Sequence, residues 1–178
     1  RLNTPSALIR QGQEKHAVLA PKVKPKIDAV SVNNRKTIEL KYGEKQFNHV
    51  LALLRKAYDG CVDGDLESQN IMIYPLTQNK VLAEALCFKG AYQYTNYYAV
   101  LDDKLSKVEQ VLAEQYNEAG YDEKQGYAFV RGSYKGRALG DCWNGQDAVW
   151  NGKIFIRTSD WMTGGCYKAF TGGAWQLP

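Results

Sequence analysis

Ala148-Val149-Trp150-Asn151-Gly152-Lys153-Ile154-Phe155-Ile156 sets an Asn-Gly pair between two runs rich in β-branched and aromatic residues. Both central positions of a type I′ turn require positive φ, which Asn and Gly tolerate at least cost, so a hairpin is expected with Asn151-Gly152 at its tip. The hairpin lies inside a longer unit, Arg137 to Leu177, in which Cys142 precedes the first strand and Cys166 follows the second across Gly164-Gly165. A weaker copy stands earlier. Asp59-Gly60-Cys61-Val62-Asp63-Gly64 aligns with Gly140-Asp141-Cys142-Trp143-Asn144-Gly145, and Ile73-Tyr74 falls on Ile154-Phe155 at the same offset. After a gap of two residues, Cys87-Phe88-Lys89 falls on Cys166-Tyr167-Lys168. Two copies cannot make a solenoid, which needs at least about three repeats. The expectation is an α+β fold, predominantly antiparallel β, built from two tandem disulfide-stapled β units related by a pseudo-twofold axis, with one or two amphipathic helices.

Four cysteines, an even number placed at the ends of the two β units, point to two disulfides and an oxidising compartment. Three pairings are possible. Cys61 with Cys87 and Cys142 with Cys166 is preferred, because each bridge then closes its own repeat. A four-thiolate metal site is disfavoured, since the close cysteine pairs that such sites draw on are absent. The chain of 178 residues, 44% hydrophobic and 12% aromatic, can bury a core unaided. No apolar run approaches the roughly 20 residues that span a bilayer. The opening Arg1-Leu2-Asn3, without Met, reads as a processed or trimmed start.

Along the chain, Thr4-Pro5 with Gly12 brackets a short helix. Pro21-Lys22-Val23-Lys24-Pro25-Lys26 reads as an extended linker, each proline disfavouring α conformation in the residue before it. Residues 1–35 thus form a basic lead to a globular domain at 36–178, made of units at about 36–101 and 121–178 joined by an insertion. Ile38, Leu40 and Tyr42 alternate as a strand. Phe47, Val50, Leu51, Leu54 and Tyr58 share one face of a helix from Gly43 to Tyr58. Ile71–Leu76 and Val81–Leu86 read as a hairpin with Pro75 at an edge position, and Tyr92–Leu101 and Gly126–Tyr134 as further strands. For Ser106–Gly120, the Ser106/Glu109 capping box and the shared face of Val108, Val111, Leu112 and Ala119 favour helix.

Lys135-Gly136-Arg137-Ala138-Leu139-Gly140-Asp141-Cys142, Trp150-Asn151-Gly152-Lys153-Ile154-Phe155 and Gly172-Gly173-Ala174-Trp175-Gln176-Leu177-Pro178 resemble the bacterial envelope proteins called domain of unknown function 1176. Leu86-Cys87-Phe88-Lys89-Gly90-Ala91-Tyr92 is similar to that family's Cys-x-x-Gly-Ala-Tyr segment, and Thr4–Gly12 to its mid-chain link. Ala138 and Trp143 depart from the pattern, where the family usually has glycine. The resemblance implies a periplasmic or secreted protein and the carboxy-terminal half of a longer one. It implies no activity and no catalytic residue.

Chemistry-bearing sets are scarce. A thiol hydrolase needs a thiolate beside a histidine. Only His16 and His49 exist, and paired cysteines leave no nucleophile. Neither a Gly-x-Ser-x-Gly elbow nor a phosphate-binding glycine loop occurs. Residues 1–45 carry ten basic against four acidic groups, and the remainder thirteen against fifteen. The basic excess therefore belongs to the lead, where it reads first as a solvated linker. Asp141, four residues after Arg137, could serve a glycosidase-like pair if another carboxylate came within about 5–10 Å. A turn-capping role is preferred. Trp143, Trp150, Trp161 and Trp175 with Tyr92, Tyr94, Tyr97 and Tyr98 could line a binding face, although half or more should be interior. The binding candidates are Arg137, Asp141, Trp143, Trp150 and Lys89. No catalytic residue, metal or cofactor is expected. The role anticipated is a non-enzymatic binding or inhibitor-type module, its partner an envelope protein, a cell-wall polymer or the preceding region of the same protein, and not nucleic acid. The alternatives are a cell-wall hydrolase or half of an envelope scaffold.

Overall fold

Tyr97-Tyr98-Ala99-Val100-Leu101 is apolar at every position, a pattern that a strand buries only when both faces of its sheet are covered. The computed structural model describes residues 27, 30, 36–61, 69–77, 79–91, 93–122, 124, 126–137, 139–163 and 166, without the side chains of 113–115. The expected helix at 4–11, the linker at 20–26 and Trp175 lie outside them. Among the described residues the order is β1 (Ile38–Leu40), α1 (Lys45–Ala57), β2 (Ile71–Pro75), β3 (Lys80–Lys89), β4 (Tyr94–Asp102), β5 (Val108–Tyr116), β6 (Glu118–Asp122), β7 (Tyr127–Lys135), β8 (Trp143–Trp150) and β9 (Phe155–Met162). β1 to β5 form one sheet and β6 to β9 a second, each in sequence order. All neighbours are antiparallel.

Three layers result. Phe47, Val50, Leu51 and Leu54 of α1 pack with Ile73, Ala83, Tyr97, Ala99 and Leu101 on one face of the first sheet. The alternate residues, Leu82, Tyr98, Val100 and Leu112, meet Val130, Ala148, Trp150 and Phe155 of the second sheet. The period of two therefore sends successive residues of β4 into two different cores. Gln110 ties the sheets where they meet: its amide donates to the Phe155 carbonyl at 3.0 Å and accepts from the Phe155 N–H at 2.8 Å, as a partner strand would. Gln110→Ala leaves both groups of a buried residue unpaired and should cost about 1–3 kcal/mol by urea denaturation. A loss near zero would mean that water replaces the amide.

Both bridges form as expected, Cys61–Cys87 and Cys142–Cys166. The first joins the segment after α1 to β3 at a bulge, where the register slips between Leu86 and Phe88. The second closes the β8–β9 hairpin. The aligned pairs differ in placement: Ile73-Tyr74 lie in the first strand of their hairpin, whereas Phe155 opens the second strand of its own.

Three local expectations are corrected. The β8–β9 connection is four residues, not two, because Trp150 pairs with Phe155. Asn151 is not among the residues with positive φ, whereas Gly152 has φ 94°. Asn151 acts through its side chain, whose oxygen accepts from the N–H groups of Lys153 and Ile154, both at 2.9 Å. The supposed helix at 106–120 is strand, split between β5 and β6. Ser106 does not cap it. The Asp102 carboxylate takes the Ser106 N–H and hydroxyl and the Lys107 N–H at 2.7–2.8 Å, closing a tight turn with Leu105 at φ 56°. Glu109 pairs with Lys80 of β3 instead of capping a helix. Pro75 lies on an inner strand, but β1 pairs only Ile71 to Ile73 of β2, so its missing N–H falls beyond the end of β1.

Candidate functional site

Four of the residues singled out from sequence, Arg137, Asp141, Trp143 and Trp150, have structural roles. Trp150 is fully buried, 0% exposed, between the two sheets, so it cannot contact a ligand and is withdrawn as a binding residue. Asp141 is 4% exposed and holds the Arg137 guanidinium in a two-pronged pair, one prong 2.9 Å long. Arg137 also donates to the Cys166 carbonyl at 2.7 Å. The turn before β8 is thereby fixed to the chain at the second bridge. The Asp141 hydrogen bond, and then its charge, hold the Arg137 pKa above its ordinary value. A carboxylate so buried and paired acts as an anchor of the turn, in line with the structural role preferred from sequence.

The Asp141 carboxylate and the sulfurs of Cys142 and Cys166 lie within 4.8 Å of one another. The sulfurs are bonded to each other, so this group offers no thiolate to a metal. Trp143 donates its indole N–H to the Gly140 carbonyl at 2.8 Å and carries Lys135 over its ring at 5.5 Å. A groove of about 230 Å³ separates Phe88, Gly90 and Ala91 from Lys135, Gly136 and Arg137, so two of the segments that carry the family resemblance meet there. Gly136 has to be glycine: a Cβ on it would lie 2.6 Å from the Cys142 sulfur. Lys89 is exposed at the end of β3, beside this groove but not among its lining residues.

The larger opening is one that the sequence reading missed. On the face of the first sheet that carries the second, register aligns Glu39, Met72, Glu84, Tyr98 and Leu112 across all five strands. Tyr98 and Leu112 lie in the core shared with the second sheet, whereas Glu39, Met72 and Glu84 are not part of it. Their end of the row, with Asn70, Leu86 and Asn96, lines a cleft of about 420 Å³. Glu84 accepts from the Asn96 amide at 2.7 Å and is hydrogen-bonded to the Tyr74 and Tyr98 hydroxyls. Burial raises its pKa above the ordinary carboxylate range, against the hydrogen bonds of the two tyrosines, which pull it down. The Asn70 amide donates to Glu39 at 2.7 Å. One signal was available: Glu84 is the single charge within Val81-Leu82-Ala83-Glu84-Ala85-Leu86. A lone carboxylate in a strand otherwise buried is kept by a partner or by a function.

A raised folded pKa means that the folded state holds its proton to higher pH than the unfolded chain. Glu84 therefore costs nothing below the unfolded carboxylate value, and its penalty grows as pH rises through the folded value. Glu84→Gln removes the ionisation. The stability of the variant relative to the natural protein should rise as pH climbs above the unfolded carboxylate value, about 4.3, and level off once Glu84 has ionised in the fold, measured by urea midpoints. A difference independent of pH would show that Glu84 ionises in the fold as easily as in water.

Compared with known proteins, the chain matches over residues 1–178 a family model described as a protein of unknown function (DUF1176). No curated protein and no solved structure matches it.

Proposed function

The chain belongs to the DUF1176 family of proteins of unknown function, and from that premise we propose that it is a non-enzymatic binding module of the bacterial envelope, periplasmic or secreted. Its ligand surface is the cleft beside Glu84, and its partner is an envelope protein or a cell-wall polymer. The observation that carries this reading is the cleft: fixed acceptors and amides stand where the second sheet leaves the first uncovered. Two local disulfides support an oxidising compartment. No helix among the described residues is long and apolar enough to cross a membrane.

A hydrolase remains the second reading, because Glu39 and Glu84 both flank Met72 across two strand spacings, about 10 Å at the backbone. The carboxyl groups of an inverting glycosidase stand about 6.5–9.5 Å apart, a range that two side chains on one row of the sheet can reach. Against it, the hydrogen bonds that Glu84 receives favour a held acceptor over an acid free to give its proton. The test is incubation of the oxidised protein with muropeptides, followed by chromatography, beside sedimentation with purified sacculi. Intact muropeptides are expected. Cleavage that Glu84→Gln abolishes would replace the binding reading with the enzymatic one.

A further inference from the structure

We infer that the cleft beside Glu84 receives a cationic side chain, arginine or lysine, from a protein partner, with Glu84 and Glu39 as its two anionic walls. The inference rests on the binding-module reading and narrows it to one chemistry. The lining comprises two carboxylates, three side-chain amides, Met72 and Leu86, with no basic group among the described residues. Glu84 is held as an acceptor by donors on the strands to either side, Tyr74 on β2 and both Asn96 and Tyr98 on β4, and Glu39 is held by Asn70. All these holders are neutral.

A half-buried carboxylate surrounded only by neutral donors keeps a desolvation cost that an incoming cation offsets. A sugar hydroxyl would add a hydrogen bond but no charge. Met72 lies between the two carboxylates and, with Leu86, offers an apolar wall along which the methylene stem of an arginine or lysine can lie. The spacing of about 10 Å lets a guanidinium or ammonium face both walls. An anionic polymer is opposed by two like charges. Residues 36–178, the globular part, carry sixteen basic against seventeen acidic groups, so it does not repel a basic partner.

The test is a set of ¹H–¹⁵N titrations of the complete 178-residue chain with its bridges intact. The probes are Nα-acetyl-arginine methylamide, its neutral citrulline counterpart and the trisaccharide of N-acetylglucosamine. The arginine probe should shift the signals of Asn70, Glu84 and Asn96 saturably. The citrulline probe should bind about tenfold more weakly, the loss expected when a charge-assisted contact is removed. Glu84→Gln and Glu39→Gln should each weaken arginine binding, whereas Glu118→Gln, on the second sheet, should leave it unchanged. Equal binding of arginine and citrulline, or no saturable shift with arginine, overturns the inference. If the trisaccharide alone moves the cleft signals, the inference fails while the binding reading stands. If the trisaccharide is cleaved, the binding reading itself fails.

Discussion

Replacing both cysteine pairs by serine should lower the stability of the fold by about 6 kcal/mol, roughly 3 from each bridge. The bridges span 26 and 24 residues of sequence, so each removes a similar loop entropy from the unfolded chain. A domain of this kind has only about 5–15 kcal/mol to lose, so the double variant should be largely unfolded near 37 °C. The single-pair variants should fold and can be compared. Cys142–Cys166 should be the costlier to remove, because Cys142 is 3% exposed beneath Gly136 and its partner's carbonyl anchors Arg137. Cys61–Cys87 ties the segment after α1 to a bulge at the end of β3, where both cysteines are only partly buried and pack against the edge of the first core. Urea midpoints of the two variants decide the order, and a loss below about 1 kcal/mol from either would show that its bridge constrains little.

Trp150→Ala should cost about 3–5 kcal/mol. The ring fills the space between the sheets, packs on Phe155 at 5.3 Å between centroids and is wholly buried. Its indole N–H has no partner among the described residues, so the residue contributes volume and apolar surface, not a hydrogen bond. Trp150→Phe should therefore be much milder, about 1–2 kcal/mol. Equal losses for the two variants would mean that the N–H meets a partner outside the described residues. Neither change should alter binding at the cleft once the protein is folded, which separates this aromatic from the binding role that its sequence context suggested.

Cysteine pairing and the β8–β9 hairpin were legible because each rests on a local pattern: spaced thiols in one case, Asn-Gly between apolar runs in the other. Ser106–Gly120 was misleading for a physical reason. β5 carries an extra residue between Val108 and Gln110, which pair with Leu101 and Val100, and two more between Leu112 and Tyr116. Bulges stretch the period of two, so Val108 and Val111 share a face at a spacing of three, as on a helix. The adjacent pair Val111 and Leu112 gives the strand away, since they enter opposite cores.

The site was the least readable part. Glu39, Met72 and Glu84 lie far apart in sequence, and only strand register sets them in one row. Arg137 and Asp141 drew notice because they stand close together in the chain, and that same closeness lets them neutralise each other.

Two disulfides, each closing its own unit, persist only where thiols stay oxidised. Peptide mass mapping of unreduced protein taken directly from its native cells, with free thiols alkylated at lysis, tests this. The expected result is two linked peptide pairs, Cys61 with Cys87 and Cys142 with Cys166, and no alkylated cysteine. Four alkylated cysteines, or a bridge joining the two hairpins, would contradict it.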